Sequence, residues 1–135
     1  MRRTLIAAAA VVASATALAA DFPPLQRVPV LDQPLPATTI GHLKGVRIAF
    51  APGQPTRLHM HPAATVGVVT RGSFVFQPHG RPKRILKTGD AFYEPAGARI
   101  DLFDNASKTQ GAEIEAFYLL ERADQPLITM LQPGA

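Results

Sequence analysis

The chain contains no cysteine among its 135 residues. This absence excludes disulfide bonds, thiol catalysis, thiolate metal sites and anchoring through a lipid-modified cysteine. Any soft metal site would therefore have to use histidine or methionine. An exported domain would have to be stabilised by its hydrophobic core alone.

Long apolar runs are also scarce, and the main one lies at the N terminus. An Arg-Arg start precedes an alanine-rich apolar stretch, and small residues follow it at positions 17–20. The run is shorter than the roughly 20 residues of a membrane-spanning helix. Residues 1–20 are therefore interpreted as a signal peptide cleaved after Ala19 or Ala20. We expect a periplasmic or secreted protein with no membrane association after cleavage.

Tryptophan is absent, and aromatic residues make up only 7% of the chain. The basic segment Arg81-Pro82-Lys83-Arg84 consequently lacks the aromatic partners on which single-stranded nucleic acids stack. The formal net charge of +4 falls to +2 when Arg2 and Arg3 leave with the signal peptide. We expect no nucleic acid partner.

Past residue 20 no segment has a convincing helical period. Short segments of alternating hydrophobicity are instead separated by turn residues about every 8–12 positions, which is typical of a β-sandwich or β-barrel. Residues 21–39 hold five prolines and are predicted to form an extended N-terminal arm. One domain is predicted over residues 40–125, followed by an edge strand and tail over 126–135.

The longest strand candidate lies near the end of this domain. Ile114, Ala116, Tyr118 and Leu120 alternate with more outward-facing positions. Since alternate side chains of a strand share a face, these four are predicted to point into the core.

His59-Met60-His61 is the most informative stretch. In an extended strand the two imidazoles project to the same face, with Met60 facing away and Arg57 sharing the histidine face. Neutral imidazole is the commonest protein ligand for transition metals, so this pair forms half of a metal site.

The glycines around this stretch carry a family resemblance. Gly53, five residues, His59-Met60-His61 and then Gly72 after a strand are similar to the first conserved motif of the cupin superfamily. Gly89, five residues and Pro95-Ala96-Gly97 resemble the second motif. The chain looks like a small exported single-domain bacterial cupin. The resemblance implies an all-β fold, a small antiparallel jelly-roll barrel with a metal site inside.

The chain departs from the cupin ligand pattern at two positions. The family usually binds a divalent metal with three histidines and one glutamate, and His59 and His61 match the first two histidines. Thr65 stands where the glutamate falls, and Ile100 stands where the third histidine falls. The resulting pocket is more apolar, which favours a small organic ligand. The predicted ligand pocket comprises His59, His61, Thr65 and Ile100.

A further metal ligand would have to come from another barrel position. Glu94 is one candidate, and Asp101 is a second, although Asp101 points outward if Ile100 points inward. The candidate metal residues are therefore His59, His61 and Glu94. The expected cofactor is one divalent transition metal (Fe, Ni, Cu, Zn or Mn), and the alternative is a metal-free pocket.

Three functional hypotheses remain open at this point. The first is a cupin that binds a small organic ligand, with or without a metal. The second is a metal-dependent dioxygenase or related oxidoreductase on a small organic substrate. The third is a metal-independent isomerase or lyase that uses His59 or His61 as a general base. The proline-rich arm also suits a homodimer, which is the expected oligomer.

Overall fold

The computed structural model describes residues 22–134, and the predicted signal peptide lies outside this range. The described residues form nine strands and no helix, so none of them forms a helix that could span a membrane. The predicted all-β fold is confirmed. The strands are β1 (His42–Phe50), β2 (His59–Met60), β3 (Thr65–Arg71), β4 (Ser73–Pro78), β5 (Arg84–Lys87), β6 (Ala91–Glu94), β7 (Arg99–Asn105), β8 (Ala112–Leu120) and β9 (Thr129–Met130).

The strands form two antiparallel sheets. The first has the order β1-β8-β3-β6, and the second has the order β5-β4-β7-β2-β9. Successive strands repeatedly change sheet, for example from β2 to β3 and from β6 to β7. This connectivity is that of a jelly roll, in which two sheets enclose one core.

Phenylalanine fills the core between the two sheets. The Phe103 ring lies 5.2 Å from that of Phe74, 5.3 Å from that of Phe76 and 4.9 Å from that of Phe92. Phe50 meets Phe74 edge-on at 4.9 Å. Three of these four pairs are edge-to-face, a geometry that adds roughly 0.5–1.5 kcal/mol per pair beyond the area it buries. Together they hold the two sheets around the cavity described below.

Strand β8 shows the predicted alternation. Its buried residues are Ala112, Ile114, Ala116, Tyr118 and Leu120. Residues between them are partly or largely exposed. The strand pairs with β1 on one side and β3 on the other, so its inward face forms one wall of the barrel.

A glycine in β3 allows β6 to approach closely. A Cβ at Gly67 would lie 2.3 Å from the ring of Phe92 and 2.5 Å from the carbonyl oxygen of Glu115. Only a residue without a side chain fits there. The close packing seats β6 against β3, and β6 ends at Glu94.

The N-terminal arm contrasts with the barrel. Residues 22–41 have no strand or helix, and Phe22, Leu25 and Val28 are 86%, 79% and 78% exposed. Strand β1 beside them is the edge of the first sheet. The domain boundaries at residues 39 and 125 stay predictions.

Candidate metal centre and cavity

Elements from opposite sheets bring together two histidines and a glutamate. His59 lies in β2, His61 follows it, and Glu94 ends β6. Nε2 of His61 is 3.0 Å from Oε2 of Glu94, and Nε2 of His59 is 3.9 Å from Oε1. All three residues are buried, with at most 5% of their surface exposed. Their possible ligand atoms lie within 4.8 Å of one another.

The turn after Glu94 fixes the two elements relative to each other. The amide of Gly97 donates to the carbonyl of His61 at 2.8 Å. Gly97 has φ +73°, a left-handed conformation that side chains with a Cβ disfavour. The second glycine motif thereby connects the carboxylate strand to the histidine strand.

Backbone carbonyls set the tautomer of both histidines. Nδ1 of His59 lies 2.7 Å from the carbonyl oxygen of Arg57, and Nδ1 of His61 lies 2.6 Å from that of Leu127. A carbonyl can only accept, so Nδ1 carries the proton in each ring. In the neutral rings Nε2 then presents its lone pair to the centre, which is the orientation that metal-binding histidines commonly have.

The segment before β2 is less extended than predicted. Arg57 has φ +71°, and only His59 and Met60 have strand geometry. A non-glycine residue in this region costs on the order of 1–3 kcal/mol. The bend directs the Arg57 carbonyl towards His59 while its side chain is exposed. Arg57 therefore contributes its backbone to the site.

The buried carboxylate and the imidazole lone pairs favour a positive charge at the centre. Within residues 22–134, Glu94 Oε1 is buried without a hydrogen-bond partner. A neutral His61 would also turn a lone pair towards the carboxylate. Burial lowers the pKa of His61, but the hydrogen bond and charge of Glu94 outweigh it and leave that pKa raised. Burial lowers the pKa of His59, so His59 stays neutral. Without a metal, Glu94 therefore favours the protonated form of His61.

A row of polar side chains crosses the first sheet beside this centre. Thr65 in β3 is directly opposite Glu94 in β6 and Tyr118 in β8. The Tyr118 ring lies 5.5 Å from that of His61. Burial and the charge of Glu94 raise the pKa of Tyr118 to about 12, so its hydroxyl stays protonated. Sequence alternation placed Tyr118 inward, but its closeness to His61 depends on packing between sheets.

The centre opens into a mostly apolar cavity of about 170 Å³. The polar part of its wall is small. The cavity is lined by Ile48, Phe50, Thr56, His59, His61, Phe92, Glu94, Phe103, Ile114, Ala116 and Ile128.

The two substituted ligand positions are buried next to the centre. Ile100 is fully buried and is the cross-strand partner of His59. Thr65 is 1% exposed, and its hydroxyl points to the Ala63 carbonyl at 3.4 Å. Neither Thr65 nor Ile100 is among the residues that line the cavity.

Asp101 lies away from the three-residue centre. Its Oδ2 accepts from Nδ1 of His79 at 2.9 Å, and its Oδ1 accepts from Arg99 at 2.8 Å. The hydrogen bond from His79, more than any other contact, lowers the pKa of Asp101. His79 is 61% exposed, so this pair lies on the surface. The surface pair of His79 and Asp101 therefore serves as a matched control for the buried pair of His61 and Glu94.

A larger groove of about 250 Å³ lies between the arm and the barrel. Leu35 and Pro36 line one side, and Pro95 and Leu119 line the barrel side. None of the three converging groups lines this groove, so the smaller cavity is the one that adjoins the candidate metal centre.

Comparison with protein families agrees with the fold. The Cupin domain family matches residues 46–118, more than half of the chain. The chain therefore belongs to the cupin family. No curated protein sequence matches it significantly.

Solved structures share the fold. Oxalate oxidase in complex with the substrate analogue glycolate is 25% identical, with a TM-score of 0.57 over 66% of this chain and 46% of that chain. A cupin-like protein from Thermotoga maritima is 27% identical, with a TM-score of 0.56 over 66% of this chain and 64% of that chain. The DMSP lyase DddQ from Ruegeria pomeroyi is 18% identical, with a TM-score of 0.58, over 69% of this chain and 45% of the lyase.

The chain spans less than two thirds of each of these proteins. At 18% identity, the similarity to the lyase shows a common fold and nothing more. Their different activities on one fold mean that function must be argued from the site. Among residues 22–134, His59, His61 and Glu94 form a group that could hold a metal ion.

Proposed function

We propose that this cupin binds one divalent transition metal through His59, His61 and Glu94, and a small organic ligand in the adjoining cavity. The observation that carries the proposal is the convergence of two Nε2 atoms on a buried carboxylate whose Oε1 has no hydrogen-bond partner in residues 22–134. A bound cation would satisfy all three groups at once.

The donor set fits such a metal. Two imidazoles and one carboxylate are the protein ligands of many catalytic zinc and non-haem iron sites, which keep further positions open. Hydrogen bonds from Nδ1 to backbone carbonyls hold both rings with Nε2 towards the centre. A metal bound there would act as a Lewis acid and template towards the ligand.

The chain's own residues would prepare the site in three ways. The Arg57 and Leu127 carbonyls orient the imidazoles, and the apolar wall excludes water. In the metal-free site the Glu94 carboxylate favours the protonated form of His61. Metal uptake should therefore release a proton at pH values where His61 is charged.

Metal analysis with matched histidine variants tests this proposal. Untagged protein is incubated with nickel, copper, iron and zinc, desalted and assayed for metal. We expect one metal per chain in the wild type and in His79→Ala, whose histidine is exposed and paired with Asp101. His61→Ala should lose it. Metal on fewer than about a tenth of wild-type chains would contradict a site with three protein ligands.

A metal-dependent oxidoreductase, such as a dioxygenase, is the second candidate. It is supported by the two-histidine, one-carboxylate set and by the 25% identity to oxalate oxidase. Oxygen consumption by the iron-loaded protein with small organic substrates distinguishes it from a binding protein. Turnover that persists in a chelator would instead favour the third candidate, an isomerase or lyase with neutral His59 as general base.

We also propose that the protein is exported and forms a homodimer. Export rests on the signal-like residues 1–20. N-terminal sequencing of protein from the periplasmic fraction should give a start near residue 20 or 21, and an intact Met1 would contradict cleavage.

The dimer proposal rests on the exposed apolar side chains of the arm, Phe22, Leu25 and Val28, and on the open edge at β1. Light scattering should give twice the chain mass for the mature protein. It should give a single-chain mass once residues 21–39 are deleted. A wild-type monomer would refute the dimer.

A further inference from the structure

Charged side chains are scarce in the wall of the cavity beside the proposed metal centre. Among the residues that line it within the described part of the chain, none is lysine or arginine. Glu94 is its one acidic group, and Thr56 supplies a hydroxyl that already donates to the Phe103 carbonyl at 2.6 Å. A ligand's charge would therefore be compensated at the metal end alone.

Charge counting then limits the ligand. A divalent metal and the Glu94 carboxylate leave one net positive charge in a buried, apolar setting. A ligand with one negative charge would bring the site to neutrality, and a neutral ligand would leave the metal charge as it is. A dianion would leave an unpaired negative charge against Phe50, Phe103 and Ile114, which is strongly unfavourable.

Cavity size limits the ligand as well. A cavity of about 150 Å³ lined by Leu, Ile and Phe is known to hold benzene. The volume here is about 170 Å³, with three phenylalanines and three isoleucines in its wall. This wall accommodates one small aromatic ring or an aliphatic body of the same size.

We propose that the site takes a benzene-sized, largely apolar molecule with a single metal-binding head group, neutral or singly charged, as in a phenol, and discriminates against dicarboxylates. The proposal rests on the proposed metal site, because the metal is the anchor for the head group. The similarity to oxalate oxidase would instead suggest oxalate, a dianion, as the ligand.

The test compares two probes of similar size on zinc-loaded protein. Zinc binding is first measured by calorimetry, so that a failure of the metal proposal is seen separately. Binding of 4-fluorophenol is then followed by fluorine NMR, and fumarate, a dianion that does not chelate, is titrated by calorimetry. We expect 4-fluorophenol to bind at least about tenfold more tightly than fumarate.

An added positive charge should reduce or cancel the preference for 4-fluorophenol over fumarate. Ile128 lines the cavity and is 40% exposed, so Ile128→Arg can place a guanidinium at its rim. Fumarate should then bind roughly tenfold more tightly than to the wild type. Thr129→Arg is the control, because Thr129 is next to Ile128, pairs with Met60 instead of His59 and does not line the cavity.

A filling variant gives a second readout. Ala116→Leu puts a larger side chain into the cavity and should abolish 4-fluorophenol binding while zinc still binds. Ala49→Leu on the exposed side of β1 should leave both unchanged.

Zinc binding without 4-fluorophenol binding in the wild type would overturn the ligand proposal and leave the metal site standing. Equal affinity for fumarate and 4-fluorophenol would also overturn it. Lack of zinc binding would refute the metal site.

Discussion

Glu94→Gln should separate the stability of the fold from metal binding. The Glu94 carboxylate is 3% exposed and 3.0 Å from Nε2 of His61. A glutamine amide has the same shape and can donate to the lone pair of a neutral His61, so the hydrogen bond survives while a buried charge is removed. We expect metal-free Glu94→Gln to unfold within about 1 kcal/mol of the wild type.

The metal affinity should respond very differently. Groups that merely orient metal ligands already cost about 10–100-fold in affinity when they are mutated. Loss of a charged ligand itself should therefore weaken zinc binding by at least about 100-fold. At zinc concentrations 100 times the wild-type Kd, the metal stabilises the wild type by about 2.7 kcal/mol, and the variant by only about 0.4 kcal/mol.

Thermal unfolding reads out both effects in one experiment. For a domain of this size the zinc-induced rise in Tm should be roughly 10 °C for the wild type and roughly 2 °C for Glu94→Gln. Asp101→Asn is the matched control, because its carboxylate also accepts from a histidine but lies on the surface. It should keep the full rise. A full zinc shift in Glu94→Gln would refute the assignment of Glu94 as a ligand.

Three further predictions follow from the same geometry. Ile100→His adds an imidazole directly opposite His59 and should raise zinc affinity by about tenfold or more in calorimetry; unchanged affinity would show that position 100 does not face the metal. Glu94 raises the pKa of His61, so in chelator the stability advantage of the wild type over His61→Gln should be complete below about pH 6.5. The stability advantage should disappear as the pH rises through the raised pKa of His61. Urea unfolding of both proteins across this pH range tests the prediction. An advantage that grows with pH would contradict the pairing of His61 with Glu94. Gly67→Ala forces a Cβ towards Phe92 and should lower the free energy of unfolding by about 1–3 kcal/mol, whereas wild-type stability in urea would show that β6 is free to shift.

Local patterns in the sequence predicted much of the barrel. The alternation from Ile114 to Leu120 gave the inward face of β8, because the period of a strand is a local property. The glycine and proline turns separated the strands for the same reason. His59 and His61 could be assigned to one face of β2, and the cupin resemblance is confirmed by the family match.

The completion of the site depended on contacts between distant segments. Glu94 meets His61 because β6 and β2 face each other from different sheets, a relation that alternation cannot specify. The Leu127 carbonyl reaches His61 because the two-residue strand β9 adds to β2. The left-handed Arg57 lies beside an isolated bridge between Pro55 and Asp104. None of these arrangements leaves a local signal.

The most direct test of the metal site is anomalous diffraction from crystals grown with zinc and measured at its absorption edge. The account predicts one strong peak per chain at about 2.0–2.2 Å from Nε2 of His59, Nε2 of His61 and a carboxylate oxygen of Glu94. No peak at this centre, or a peak only at the surface pair of His79 and Asp101, would contradict it.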